Sequence, residues 1–164
     1  GERDNKRAVA ARKFCFSNPG LKELVVRDRI KLLAESRTAN PLAYMVSMDP
    51  SDGQGTCHCE ECKALGTTTD RVVHLANHVA REMRKVDPQA WVGLYAYSSH
   101  RLPPTIAVEP NVCVQVALAF NQTEFSLPEL VERWSKKTSA IGLREYYGVE
   151  AWDWGLPGRM RGAK

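Results

Sequence analysis

Short apolar runs alternate with amphipathic stretches along most of this chain, and that alternation limits its fold more than any single motif. Four runs have strand length and are rich in β-branched or aromatic residues: "LAYMVSM" (42–48), "WVGLYAY" (91–97), "NVCVQVALAF" (111–120) and "IGLREYY" (141–147). Between them lie helical patterns. Asn18 as N-cap and Pro19 at the first helical position open one, which carries Leu21, Leu24, Val25 and Leu32 to about residue 36 and stops at Asn40 and Pro41. A second starts at Thr69, repeats Val72, Leu75, Ala76, Val79, Met83 and Val86 at helical spacing, and ends at Asp87 and Pro88. Ser126 and Glu129 form a capping box for a third, running through Leu130, Val131 and Trp134.

The order is helix, strand, helix, strand, strand, helix, strand. Strands two and three are joined by a Pro-rich loop, "SSHRLPP"; elsewhere the alternation predicts βα units around a parallel sheet. A closed (β/α)8 barrel takes about 250 residues. The 164 residues here, with four strands, correspond to a partial (β/α)8 TIM barrel, with a small open α/β sheet as the competing architecture. The chain reads as a single segment, 1–164, with loose ends at 1–13 and 158–164 and no internal repeat. It begins at Gly1, followed at once by charged residues, and is expected to be a piece of something longer.

Composition narrows the class. The chain is 43% hydrophobic and 26% charged, an ordinary globular balance. No apolar run approaches the 18 or so residues of a membrane span. The net charge of +4 is spread among acids on the predicted helices, as in "KELVVRDRIK", so no basic stripe suited to nucleic acid emerges.

In parallel α/β sheets, ligands bind beyond the C-terminal ends of the strands. After the first strand come Asp49, Pro50, Ser51, Asp52 and Gly53; at and after the end of the second, Tyr95, Tyr97, Ser98, Ser99 and His100; after the third, Asn121 and Gln122; at and after the fourth, Glu145, Tyr146, Tyr147, Trp152, Asp153 and Trp154. Aromatic faces stack on sugar rings, while carboxylates and amides bind hydroxyls, so this inventory suits a carbohydrate. Glycoside hydrolysis needs two carboxyl groups flanking the scissile bond. Asp52 and Glu145 form the best pair, with Asp49 and Asp153 in reserve. Asp49, Tyr97, His100, Asn121, Tyr147, Trp152 and Trp154 are the candidate substrate-binding residues. The structural alternatives are a turn at "PSDG" for Asp52, a strand-end ion pair for Glu145, and core packing for the aromatics.

Three of the five cysteines stand as C-x-C-x-x-C at Cys57, Cys59 and Cys62; Cys15 and Cys113 are remote. Cys15 precedes the helix adjoining the first strand, so it can join the three. The four then make either two disulfides, favoured in a secreted enzyme, or a structural zinc site, and Cys113 remains a buried strand thiol. A redox role for Cys59–Cys62 is disfavoured because the intervening Glu60 and Glu61 would raise the thiol pKa values. His74 and His78 are i, i+4 on the second helix, but on the side opposite its apolar face and without the glutamate of an H-E-x-x-H motif. They read as a solvated surface.

The runs "FCFSNP", "VSMDPSDGQGTCHCEECKALGT", "TDRVVHLANHVAREM", "VGLYAYSSHRLPP", "PNVCVQVALAF" and "ELVERWSKKTSAIGLREYYG" resemble the bacterial domain of unknown function 4838, a family linked to glycoside hydrolase family 163. The resemblance runs from about Phe14 to Pro157, and the Asp-Gly followed by C-x-C-x-x-C is its most specific part. It implies the C-terminal half of a (β/α)8 barrel whose N-terminal half lies outside this sequence. It also implies a secreted or periplasmic enzyme acting as an endo-β-N-acetylglucosaminidase on N-glycans. By analogy with retaining barrel glycosidases, Asp52 and Glu145 fall near the two catalytic strand ends. The alternatives to a hydrolase are a non-catalytic carbohydrate-binding barrel and a zinc-braced interaction module.

Overall fold

The computed structural model describes residues 14–51, 55–117 and 123–144. Helix α1 spans Pro19–Ala39, strand β1 Met45–Ser47, α2 Glu60–Ala64, α3 Thr68–Val86, β2 Trp91–Ala96, β3 Val112–Ala117, α4 Leu127–Ser135 and β4 Ile141–Arg144, with a 3-10 turn at Ser98–His100. The strands form one parallel sheet in the order β1-β2-β3-β4, each pairing with its neighbour in sequence. The architecture is α/β, and the strand order never reverses, whereas doubly wound sheets do reverse theirs.

Strand periodicity divides the sheet into two unlike faces. Val46, Val92, Leu94, Ala96, Val112, Val114 and Val116 lie on one face and are buried. There α3 packs on β2 and β3. The opposite face carries Met45, Ser47, Trp91, Tyr95, Cys113, Gln115, Gly142 and Arg144, none of them fully buried. Sequence alternation alone explains the split: β3 reads Val-Cys-Val-Gln-Val-Ala, apolar toward the helix and mixed away from it.

Helix α3 is the centre of the core. Its Val73, Ala76, Val79 and Ala80 are fully buried, because α1 packs on the side away from the sheet. The two histidines are therefore not on a solvated face. His74 and His78 are half-buried, and Lys22 of α1 places its Nζ 2.9 Å from His74 Nε2. Burial, and then the positive charge of Lys22 and Arg81, holds the His74 pKa below its ordinary value.

The β2–β3 connection carries no α-helix and is held by two polar residues of α3. Asp70, 1% exposed, accepts from the backbone N–H of Thr105 (2.6 Å), the Thr105 hydroxyl (3.0 Å) and, at its other oxygen, the N–H and hydroxyl of Thr67 (2.9 and 2.7 Å). Asn77, two turns on, donates to Ala107 O (2.8 Å) and accepts from Glu109 N–H (2.9 Å). Gly66 makes room for this cap: at φ +99° it adopts a conformation rare for other residues, and a Cβ would come 2.7 Å from Asp70 Oδ2. At the far end of the layer, Arg37 of α1 pairs with Asp87, the C-cap of α3, at 2.6 Å.

Burial alone would raise the Asp70 pKa, but the hydrogen bonds from Thr67 and Thr105 outweigh it and hold the carboxyl below the usual range. A depressed folded-state pKa contributes stability that is present above the unfolded value, about 3.9, and is lost as pH falls through the folded value. Asp70→Asn is expected to cost about 3 kcal/mol at neutral pH. In urea titrations, the variant is also expected to show a shallower loss of stability below about pH 4 than the native chain.

Candidate metal centre and strand-end rim

Four of the five cysteines converge. The sulfurs of Cys15, Cys57, Cys59 and Cys62 all lie within 4.8 Å of one another. They arrive on three pieces of local structure. Cys15 sits in the turn before α1, where Asn18 N–H bonds back to Cys15 O at 3.1 Å and Asn18 Oδ1 caps the helix at Leu21 N–H (2.9 Å). Phe16, 5% exposed, anchors that turn in the core. Cys57 lies in the loop after β1, with its carbonyl held by Arg71 Nη1 (3.2 Å). Cys59 is the N-cap of α2, and its sulfur accepts from Cys62 N–H at 3.4 Å; Cys62, within α2, is completely buried.

All five cysteines are free thiols, so the disulfide expectation for the four is not met. The separations fit a bound ion instead. Cys15 Sγ is 3.7 Å from both Cys59 Sγ and Cys62 Sγ, against about 2.05 Å for a disulfide bond. A tetrahedral ion with metal–sulfur bonds of about 2.3 Å spaces its ligands about 3.8 Å apart. These four cysteines could hold a metal ion, and soft thiolates select zinc, iron or copper(I) over magnesium or calcium. The remaining cysteine, Cys113, is half-buried on the exposed face of β3, and burial raises its pKa.

The cluster's protons are shared unequally. The Ser17 hydroxyl, against the effect of burial and with help from the neighbouring sulfurs, lowers Cys15 to about 6. At Cys59 the Ser17 hydroxyl and the Cys62 N–H favour the thiolate. Burial, Glu61 and Cys57 favour the thiol and win, so Cys59 is pushed up to about 12. The Cys15 thiolate thus forms readily and Cys59 resists. A divalent cation removes that conflict, because it lets all four sulfurs ionise together.

The strand-end rim is partly described. Asp49 is placed where β1 stops pairing. Its Oδ1 accepts the backbone N–H of Tyr95 at 2.6 Å, and its Oδ2 accepts the Ser47 hydroxyl at 2.6 Å. The carboxylate so continues the ladder beyond Ser47. Beside it, Arg144 lies over the Tyr95 ring, 5.7 Å from the centroid, and Gln115 pairs with Tyr95 across the sheet. Arg29 of α1 reaches the same end, donating to Ser47 O at 3.0 Å. Tyr97 is half-buried just past β2. His100 is 5% exposed in the 3-10 turn, which packs against α3. Asp52, Asn121, Glu145, Tyr147, Trp152 and Trp154 lie outside the described residues. Arg144 and Gln115 were not singled out from sequence; strand parity with Tyr95 is the signal that finds them. Ser17 was likewise missed, although its place two residues from Cys15 puts it beside the centre.

The family described as Domain of unknown function (DUF4838) matches residues 2–149. The chain belongs to this family. No curated protein and no solved structure matches it. The matched segment takes in both the cysteine centre and the described strand ends.

Because Asp49 makes two charge-assisted bonds, Asp49→Ala is expected to lower stability by about 2 kcal/mol in urea denaturation. Metal content should be unchanged, since the centre lies at the other end of the loop.

Proposed function

We propose that this chain supplies a run of βα units to a (β/α)8-type glycoside hydrolase domain acting on N-acetylglucosamine-containing glycans, and that its cysteine centre holds a structural zinc ion. The observation that carries the first part is the two-faced sheet. A parallel sheet of sequential, unreversed order has helices sealing one face, and its other face bears Ser47, Tyr95, Gln115 and Arg144 and ends at Asp49. That is how the wall of a barrel presents an interior and a ligand-binding rim. Exposed apolar side chains at both edges go with further βα units there: Leu42 (82% exposed) and Tyr44 lie beside β1, and Leu143 lies on the helix side of β4.

In this reading Asp52 and Glu145 are the carboxyl pair, one protonating the leaving oxygen and the other attacking, activating water or steadying the substrate's acetamide. Asp49, Tyr97 and the aromatic residues Tyr147, Trp152 and Trp154 bind sugar. A secreted or periplasmic place of action goes with that substrate class. Cys15, Cys57, Cys59 and Cys62 would hold the zinc with four protein ligands, which is the ligand set of a structural site. It ties the turn before α1 to the loop leaving β1. No helix among the described residues is long and apolar enough to cross a membrane.

The test is turnover of N-glycans and aryl N-acetylglucosaminides by the polypeptide at its full natural length. Asp52→Asn and Glu145→Gln are each expected to lower kcat by roughly 100-fold or more while sparing glycan binding. Binding without turnover in the native protein would favour a carbohydrate-binding barrel, and absence of both would reject the glycan reading. Independently, metal analysis after exhaustive dialysis is expected to give about one zinc per chain, lost in Cys62→Ser.

A further inference from the structure

Ser17 belongs to no part of the function proposed above, yet its hydroxyl lies against three of the four clustered sulfurs. Its Oγ is 3.2 Å from Cys15 Sγ, 3.3 Å from Cys62 Sγ and 3.6 Å from Cys59 Sγ. The oxygen therefore lies against the triangle made by these three sulfurs, and the Cys57 sulfur is within 4.8 Å of each of them. Backbone geometry fixes it there. Cys15 and Ser17 flank Phe16, whose buried ring locks the turn, and Asn18 then starts α1.

The chemistry of a tetrathiolate gives this placement a purpose. Four thiolates around a divalent ion leave a net charge of −2 in a half-buried site. Each hydrogen bond donated to sulfur withdraws charge from it. Two such donors reach the sulfurs among the described residues: the Cys62 N–H, on Cys59, and the Ser17 hydroxyl. The acids nearest in sequence, Glu60 and Glu61, add negative charge instead. With no metal, the Cys62 thiol donates to Ser17 Oγ. Once all four sulfurs are thiolates they have no proton to give, and the hydroxyl has to donate.

We propose that Ser17 is a positioning residue of the metal centre, donating its hydroxyl proton to the sulfur face of Cys15, Cys59 and Cys62 and so tightening metal binding and quietening the bound thiolates. This rests on the zinc reading. Outer-shell partners of this kind change metal affinity by roughly 10- to 100-fold.

The experiment compares native, Ser17→Ala and Ser17→Thr proteins at full natural length, loaded with zinc or cobalt(II). Zinc affinity is measured by competition with a chromophoric chelator. Ser17→Ala is expected to bind zinc about tenfold more weakly. Its sulfur-to-cobalt charge-transfer band should move to longer wavelength, because sulfur lone pairs rise in energy when the hydrogen bond is lost. Alkylation of the zinc-loaded protein by iodoacetamide should speed up. Ser17→Thr, which keeps the hydroxyl, should restore all three. A purely structural serine could alter affinity through misfolding, but it would not move the band in protein that still binds one cobalt per chain. Native affinity together with an unmoved band in Ser17→Ala would overturn the proposal. If the native protein itself takes up neither metal, the zinc reading fails and this one with it. An intact native cobalt spectrum with no effect of Ser17→Ala fells this proposal alone.

Discussion

A parallel sheet that the described helices seal on one face is the constraint from which the rest of this structure follows. The valines of β2 and β3 alternate with Gly93, Tyr95, Cys113 and Gln115, so burying the first set against α3 commits the second set to the opposite face. Burial of branched aliphatic side chains contributes roughly 1.5–3 kcal/mol each. A one-residue slip in register would exchange the two sets. That penalty fixes where Tyr95 points, and Tyr95 in turn supplies the backbone N–H that holds Asp49. The helix-covered face therefore pays for the position of the rim.

Two polar devices then tie loops to this frame. Asp70 and Asn77 spend their hydrogen-bonding capacity on the helix-free β2–β3 connection. The four cysteines gather the turn before α1, the loop after β1 and the short helix α2. Without a cation, Cys15 ionises readily while Cys59 holds its proton. With one, the same crowding becomes a coordination shell. The loop leaving β1 is thus held at its start by Asp49 and at its end by Cys57.

Much of this was legible in the sequence, and the places where it was not have physical causes. Asn18–Pro19, the Ser126–Glu129 box and the stops at Asn40 and Asp87 marked helix ends to within a few residues, because caps are local chemistry. The first strand was expected over 42–48 but pairs only over Met45–Ser47, since Asn40 and Pro41 turn the chain and leave Leu42 exposed. The histidine pair on α3 was read as solvated because periodicity sees one buried face, whereas α3 is covered by the sheet on one side and α1 on the other. The choice between disulfides and metal could not be read from C-x-C-x-x-C, since both need the same four sulfurs close together and differ only in the last ångström or two. Ser17 and Arg144 stand out only once the cysteine cluster and the strand register are fixed, because sequence position alone does not give those tertiary contacts. Of the expected site residues, Asp49 and Tyr97 sit at the strand ends, while His100 turns into the core beside α3.

The central claim is that four thiolates here enclose one zinc ion. X-ray absorption at the zinc edge, on the full-length protein as purified, tests it most directly. The account predicts a single shell of four sulfurs at about 2.3 Å and no nitrogen or oxygen ligand. A mixed shell with nitrogen or oxygen, or a zinc-free protein whose cysteines are joined as disulfides, would contradict it.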